Sequence, residues 1–208
     1  MNVLFDLDGT LTDPGEGFVA CLSSALYAVE RPRSDAEIRR HIGPPLQETL
    51  MHLLDGDAGV AATALALYRE RYGAEGLFRC TVYPGIAEML AVLRSRRMTL
   101  MVATSKPTTY AKRILDHQGL SRYFEAVYGS ELGGTRAGKT DLVAHLLRNE
   151  SIEDAVMVGD RAQDIAAARA CGLHPIGVLW GYGSREELSA AGAAALCASP
   201  SDLPSLIA

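Results

Sequence analysis

Met1-Asn2-Val3-Leu4-Phe5-Asp6-Leu7-Asp8-Gly9-Thr10-Leu11-Thr12-Asp13 opens the chain, and the reading of everything after it depends on this stretch. Asn2 to Phe5 is apolar, partly β-favouring, and ended by two acids and a glycine, the pattern of a buried strand that stops where Asp6 and Asp8 emerge. Residues two apart on a strand share a face, so the two carboxylates are expected side by side. Such a pair repels itself unless a cation neutralises one member or a proton is shared, which points to a magnesium site or an acid/base pair. Gly9 and Thr10 let the backbone turn sharply, as a loop at the carboxyl end of a strand must. An ordinary Asp-Gly turn after an N-terminal strand is the plainer alternative.

Downstream, the period of the apolar residues changes twice. From Asp13 to about Cys80 the sequence reads as helical. Phe18, Cys21, Leu22, Ala25 and Leu26 mark a helix from about Gly17 to Val29, and Ser34-Asp-Ala-Glu37 matches a capping box that starts a second. Gly43-Pro44-Pro45 breaks that one, and Leu46, Leu50, Leu53 and Leu54 belong to a third. A fourth runs from about Ala58 to Tyr72. After Tyr83-Pro84-Gly85, strands and helices alternate: strands at Thr99 to Ala103, Ala126 to Tyr128, Ala155 to Val158 and near Pro175 to Leu179, with a last helix near Ser184 to Ala190. Alternation of this kind predicts an α/β fold, a Rossmann-like doubly wound parallel sheet with ligands at the carboxyl ends of its strands. The expected organisation is an α/β core from residues 1–13 and 84–208, with an all-helical insertion at 14–83.

Three further polar sets fall where strands end. Thr104 and Ser105 follow Leu100 to Ala103; hydroxyls with backbone N–H groups at a helix start make a phosphate cradle, and an N-cap by Ser105 ahead of Lys106-Pro107 is the alternative. Lys139, in Thr135-Arg-Ala-Gly-Lys139-Thr, opens a helix, where a cation is electrostatically disfavoured. The chain has only three lysines, Lys106, Lys112 and Lys139, against seventeen arginines. A compact ammonium can neutralise an aspartate and a phosphoryl group together, whereas a lone lysine elsewhere is normally a solvated charge. Gly159-Asp160-Arg161-Ala-Gln-Asp164 follows the strand Ala155 to Val158; its two acids, four apart, can face one side of a starting helical turn and offer the hard oxygens that magnesium takes. N-capping by Asp160 is the competing explanation.

Composition narrows the function. The 208 residues, 48% apolar and 22% charged, suffice for one sizeable core with a small insertion. A net charge of −5 argues against a nucleic-acid surface as the main function. Cys21, Cys80, Cys171 and Cys197 form no Cys-x-x-Cys pair and lack zinc-ligand spacing, so four reduced, mostly packed thiols are expected. With no basic and apolar leader and no membrane-length run, the expected location is cytoplasmic, as a monomer or weak homodimer.

Taken together, the four motifs resemble those of the haloacid dehalogenase-like hydrolases, most of which are magnesium-dependent phosphatases. The resemblance covers essentially the whole chain. It implies that Asp6 attacks phosphorus to give an aspartyl-phosphate, that Asp8 is the general acid/base, and that Thr104 hydrogen-bonds a phosphoryl oxygen. It further implies that Lys139 neutralises charge at the phosphoryl group, and that Asp6, Asp160 and the backbone carbonyl of Asp8 hold Mg²⁺ with Asp164 behind them. Gly9 and Ser105 join Asp6, Thr104 and Lys139 in the implied phosphate-binding set. The helical insertion resembles the family's cap; the Gly43-Pro44-Pro45 break either presents Gly43 to the substrate or only connects two helices of the cap. Thr-Ser-Lys-Pro, Val-Gly-Asp-Arg and Gly181-Tyr-Gly183-Ser-Arg-Glu-Glu resemble the phosphoglycolate phosphatase-like subgroup. One departure is Thr140, where many relatives have proline.

The implied activity is hydrolysis of a small phosphorylated metabolite, phosphoglycolate-like or a nucleotide, with no nucleic-acid or membrane partner. Asp8 argues against haloalkanoate dehalogenation, which needs no proton donor. The lack of any lysine before Lys106 argues against phosphonate hydrolysis through a cap Schiff base. A sugar phosphomutase, a pyrophosphatase and a catalytically inactive binding protein remain alternatives. Arg31, Arg33, Arg39, Arg40, His41, Arg69 and Arg71 in the insertion could meet a second anionic group or form a solvated face.

Overall fold

Val3, Leu4 and Phe5 have no exposed surface, so the first strand is covered on both faces, as its unbroken apolar run requires. The computed structural model describes residues 1–132 and 138–207. Thr135-Arg136-Ala137, quoted above ahead of Lys139, lie outside the described residues. The chain divides into two compact units, Met1–Asp13 with Val82–Ala208, and Pro14–Thr81.

The strands are β1 (Asn2–Phe5), β2 (Thr12–Asp13), β3 (Thr81–Val82), β4 (Thr99–Pro107), β5 (Ala126–Ser130), β6 (Ala155–Gly159), β7 (His174–Val178) and β8 (Ala195–Cys197). The helices are α1 (Gly15–Ala28), α2 (Asp35–Arg39), α3 (Leu46–Leu53), α4 (Ala58–Ala74), α5 (Ile86–Ser95), α6 (Thr108–His117), α7 (Lys139–Asn149), α8 (Ala162–Ala170), α9 (Arg185–Ala191) and α10 (Leu203–Leu206).

Six parallel strands form the sheet of the first unit, in the order β5-β4-β1-β6-β7-β8. The chain leaves β1 towards β4 and β5, then returns to β6 on the other side of β1. The topological switch therefore lies at β1, and the carboxyl ends of β4, β1 and β6 meet there. Alternation within the strands serves both faces. Leu4, paired in register with Met101 and Met157, joins Ala103, Val143, Leu146, Ala167 and Ala168 in a buried cluster under α7 and α8. Val3, Phe5, Leu100 and Val102 point the other way and are equally buried. Phe5 meets Phe124 edge to face at 6.2 Å between ring centroids.

The structure departs from the sequence expectation after Ala103 and near the end of the chain. β4 continues through Thr104-Ser105-Lys106-Pro107, and α6 starts only at Thr108, so Ser105 is neither an N-cap nor at a helix start. The physical reason is that Lys106 precedes a proline, which keeps it out of the helical region, and Pro107 still pairs with Ser130 of β5 after a register shift. β8 and α10 also appear beyond the last expected helix; β8 has only three residues, too few for periodicity to reveal.

The second unit is helical. Ser34 accepts the Glu37 N–H at 3.2 Å to start α2, and Asp57 accepts those of Gly59 and Val60 at 3.1 and 3.0 Å to start α4. Leu22, Leu26, Ile38, Leu50, Ala64 and Tyr72 make up much of its interior, with Tyr68 stacked on Tyr72 at 4.9 Å. Among the described residues, no helix of either unit is long and apolar enough to cross a membrane. None of Cys21, Cys80, Cys171 and Cys197 is in a disulfide.

Candidate active site

The loop after β1 starts with Asp6, whose backbone N–H is donated to the Val158 carbonyl of β6 at 2.9 Å. Asp6 is thereby anchored to the neighbouring strand, with 3% of its surface exposed. The turn the sequence demanded is present. Gly9 has φ of +91°, and a Cβ at that position would run into the Asp160 carboxylate, so only glycine fits. Thr10 then donates its hydroxyl to Asp160 Oδ1 at 3.0 Å.

Lys139, the first residue of α7, places its ammonium 2.5 Å from Asp6 Oδ1, 2.9 Å from the Ala103 carbonyl and 2.9 Å from Asp164 Oδ1. Burial alone would lower its pKa, but the carboxylates of Asp164 and Asp6 overcome this and raise it, so Lys139 stays charged. The expected cation at a helix start is real: two buried carboxylates outweigh the unfavourable end of the helix dipole.

Asp160 follows β6 and is fully buried, accepting Thr10 Oγ1 and the Tyr182 N–H, the latter at 2.9 Å. Burial, then the nearby Asp164 and Asp6 carboxylates, push its pKa well above the usual range. The residue at the N-cap position of α8 is Arg161, so Asp160 is not the cap; Asp164, third in the helix, reaches back to the Arg161 N–H at 3.0 Å. Burial raises Asp164 to a pKa of about 6, with the Lys139 ammonium opposing the rise.

Thr104 is buried in β4, and its Oγ1 accepts the Lys106 N–H at 3.2 Å. Ser105 turns its hydroxyl inward without a hydrogen-bond partner, while its carbonyl accepts Ser130 Oγ at 2.9 Å. Gly43 lies in the helical unit, whereas every other expected site residue lies in the α/β unit. Two of the arginines left open between meeting a second anion and forming a solvated face are engaged locally. Arg33 donates to the Leu53 carbonyl at 2.6 Å and pairs with Glu37 and Asp55, and Arg71 pairs with Glu75 at 2.7 Å.

Sequence reasoning missed Lys106. Its ammonium lies 2.9 Å from Asp8 Oδ1 and 2.7 Å from Oδ2, with 7% of the side chain exposed. Burial raises the Asp8 pKa and Lys106 works against it. The two acids of the opening loop therefore have separate cations, Lys139 for Asp6 and Lys106 for Asp8, rather than one shared neutraliser. The scarcity of lysine was the available signal: two of three are spent here. Trp180, the only tryptophan, was also missed; it donates Nε1–H to the Thr10 carbonyl at 2.9 Å. Beside it, Tyr182 donates its hydroxyl to Asp13, and Gly181 lies so close to Asp160 and the Gly9 carbonyl that a side chain would not fit.

One carboxylate oxygen from each of Asp6, Asp160 and Asp164 lies within 4.8 Å of the others. Four carboxylates, Asp6, Asp8, Asp160 and Asp164, face two ammonium groups, leaving a formal excess of two negative charges that is largely buried. Among the described residues, the donors to Asp160 are neutral, a hydroxyl and a backbone N–H. A hard, oxygen-only donor set with a deficit of two positive charges fits a divalent cation such as Mg²⁺.

A family model described as haloacid dehalogenase-like hydrolase matches residues 3–178. A 5'-nucleotidase from Pseudomonas aeruginosa is 44% identical over 192 residues, spanning 91% of this chain and 87% of that protein. Tyrosine-protein kinase PtkA of Mycobacterium tuberculosis is 41% identical over 184 residues; the match spans 87% of this chain but 62% of PtkA. A crystal structure of a predicted phosphatase from Clostridium acetobutylicum superposes with a TM-score of 0.96 at 38% identity, covering 99% of this chain and 97% of that one.

Proposed function

The chain belongs to the haloacid dehalogenase-like hydrolases, and from that premise we propose that it is a magnesium-dependent phosphatase acting on a small phosphate monoester, a nucleotide or a phosphoglycolate-like acid. The observation that carries this reading is the buried Asp6–Lys139–Asp164 array beside Asp160, with its uncompensated charge. The name of the 5'-nucleotidase relative supports the substrate class.

Asp6 attacks in line: an Asp6 oxygen–phosphorus bond forms as the ester P–O bond breaks, and the Asp8 carboxyl proton passes to the leaving oxygen. Water then attacks phosphorus, gives a proton to Asp8, and breaks the Asp6–phosphorus bond to release phosphate. Lys139 and Thr104 hold the phosphoryl oxygens, with the Gly9 turn and Ser105 beside them. When bound, Mg²⁺ screens the repulsion between carboxylate and phosphate. Asp6, the Asp8 carbonyl and Asp160 are the residues that would hold it. Asp160 suits direct ligation because its partners are neutral, whereas Asp164 is already paired with Lys139 and suits an orienting role. The helical unit is read as the cap, with Gly43 as a specificity residue.

A panel of phosphate monoesters and pyrophosphate, assayed with Mg²⁺ and after exhaustive chelation, tests the reading. Turnover of a monoester that chelation abolishes and Asp6→Asn eliminates, with the circular dichroism spectrum unchanged, is the expected result. Activity surviving chelation refutes the metal, and activity surviving Asp6→Asn refutes the nucleophile. In the same panel a bulky residue at position 43 should reorder the substrates; a common factor across all of them removes Gly43 from specificity.

A further inference from the structure

We propose that Lys106 is a positioning residue for the proton-transfer steps, holding the Asp8 carboxyl group apart from the Asp6–Lys139 pair. This rests on the phosphatase reading above. An ammonium enclosed to this degree, with 7% of its side chain exposed, is retained only where it is paired, and Lys106 is paired with both oxygens of Asp8, at 2.9 and 2.7 Å. Asp8 stands two residues from Asp6, whose own oxygen is 2.5 Å from Lys139. A single lysine shared by the two acids would draw both carboxylates to one place. Yet the chemistry needs one acid against phosphorus and the other at the leaving oxygen. Two lysines divide the jobs.

The backbone fixes Lys106 before any ligand arrives. The residue lies in β4, its N–H is donated to Thr104 Oγ1 at 3.2 Å, and the next residue is Pro107, which pairs with Ser130 after the register shift that follows Thr104. That arrangement differs from a helix N-cap, in which this segment would have turned and carried the lysine elsewhere. Thr104, assigned to the phosphoryl group, thus also shapes the strand end that aims Lys106 at Asp8. An ammonium bridging both oxygens of a carboxylate limits its rotation about χ2, and such pre-orientation is worth most to a group that must meet one atom of the substrate.

A test that separates this from a structural role compares leaving groups. Lys106→Met should lower kcat on an alkyl phosphate by on the order of 10- to 100-fold more than on p-nitrophenyl phosphate, whose leaving group needs little protonation, with KM shifted by less than about threefold. Lys106→Arg should restore part of the alkyl-ester rate. In an Asp8→Asn background, Lys106→Met should have no further effect on the alkyl ester. Calorimetry of inorganic phosphate with Mg²⁺ should show Lys106→Met binding within about threefold of wild type, since Lys106 acts through Asp8 rather than on phosphate. Equal losses on both esters, a multiplicative loss in the double variant, or loss of phosphate binding overturns the proposal. If Lys106→Met does not fold by circular dichroism, the same comparison with Lys106→Gln decides. A wild-type chain without esterase turnover sinks the phosphatase reading instead, so the two failures are distinct.

Discussion

The two units bury different things. The α/β unit encloses Asp6, Lys139, Asp160 and Asp164, with Lys106 and Asp8 nearly enclosed, whereas in the helical unit no charged side chain is buried among the described residues. The charges of the helical unit lie on its surface in pairs such as Arg71–Glu75. Apolar packing in water suffices to hold four helices together. Buried carboxylates and ammonium groups oppose folding unless each is matched, so the α/β unit tolerates instability at one spot in exchange for chemistry. Stability experiments should therefore respond very differently in the two units.

The largest effect should come from Lys139→Met. It leaves Asp6 and Asp164 buried without a cation, and should cost about 3–5 kcal/mol as read by denaturant unfolding without metal. A loss below about 1 kcal/mol would mean that Lys139 is not what neutralises the cluster.

An intermediate effect concerns pH. The folded chain holds the Asp164 proton up to a pH of about 6, against an ordinary value of 3.8 in the unfolded chain, and Asp160 is raised in the same direction. Between those values the folded state binds more protons, so metal-free stability should fall as pH rises through the window, by about 1.4 kcal/mol per pH unit for each acid that keeps its proton. Mg²⁺, which favours the charged carboxylates, should flatten the slope, and Asp164→Asn should remove its own share. Unfolding at pH 5 and pH 7 in chelator tests this; greater stability at pH 7 contradicts it.

The smallest effect belongs to the helical unit. Thr49 Oγ1 is buried without a hydrogen-bond partner, so Thr49→Val should raise stability by about 1 kcal/mol and leave turnover unchanged. A drop in melting temperature would show that this hydroxyl is satisfied in solution.

Legibility followed the range of the interaction. The buried β1 run, the helical insertion and the strand–helix alternation were readable because burial on a regular element prints a period of two or 3.6. The clustering of Asp6, Asp8 and Asp160 was legible because charged residues at strand ends have few structural excuses, and that of Lys139 because a cation is disfavoured where it opens a helix. β8 was not, because three residues carry no period. Ser105 was misplaced because Lys106-Pro107 can follow either a cap or a continuing strand, and pairing with β5 settled which.

The sequence by itself determined the order of the longer elements, the unit that carries the acids, and the residue types available for phosphoryl chemistry; these depend on local spacing and composition. Only the tertiary structure decided which cation serves which acid. Lys106 and Asp8 are 98 residues apart and Lys139 and Asp6 are 133 apart. Trp180 and Tyr182 reach back to Thr10 and Asp13 across still wider gaps, of 170 and 169 residues. No periodicity links positions that far apart; the parallel sheet does, by bringing the carboxyl ends of β4, β1 and β6 side by side, where unlike charges pair because unpaired ones could not remain buried.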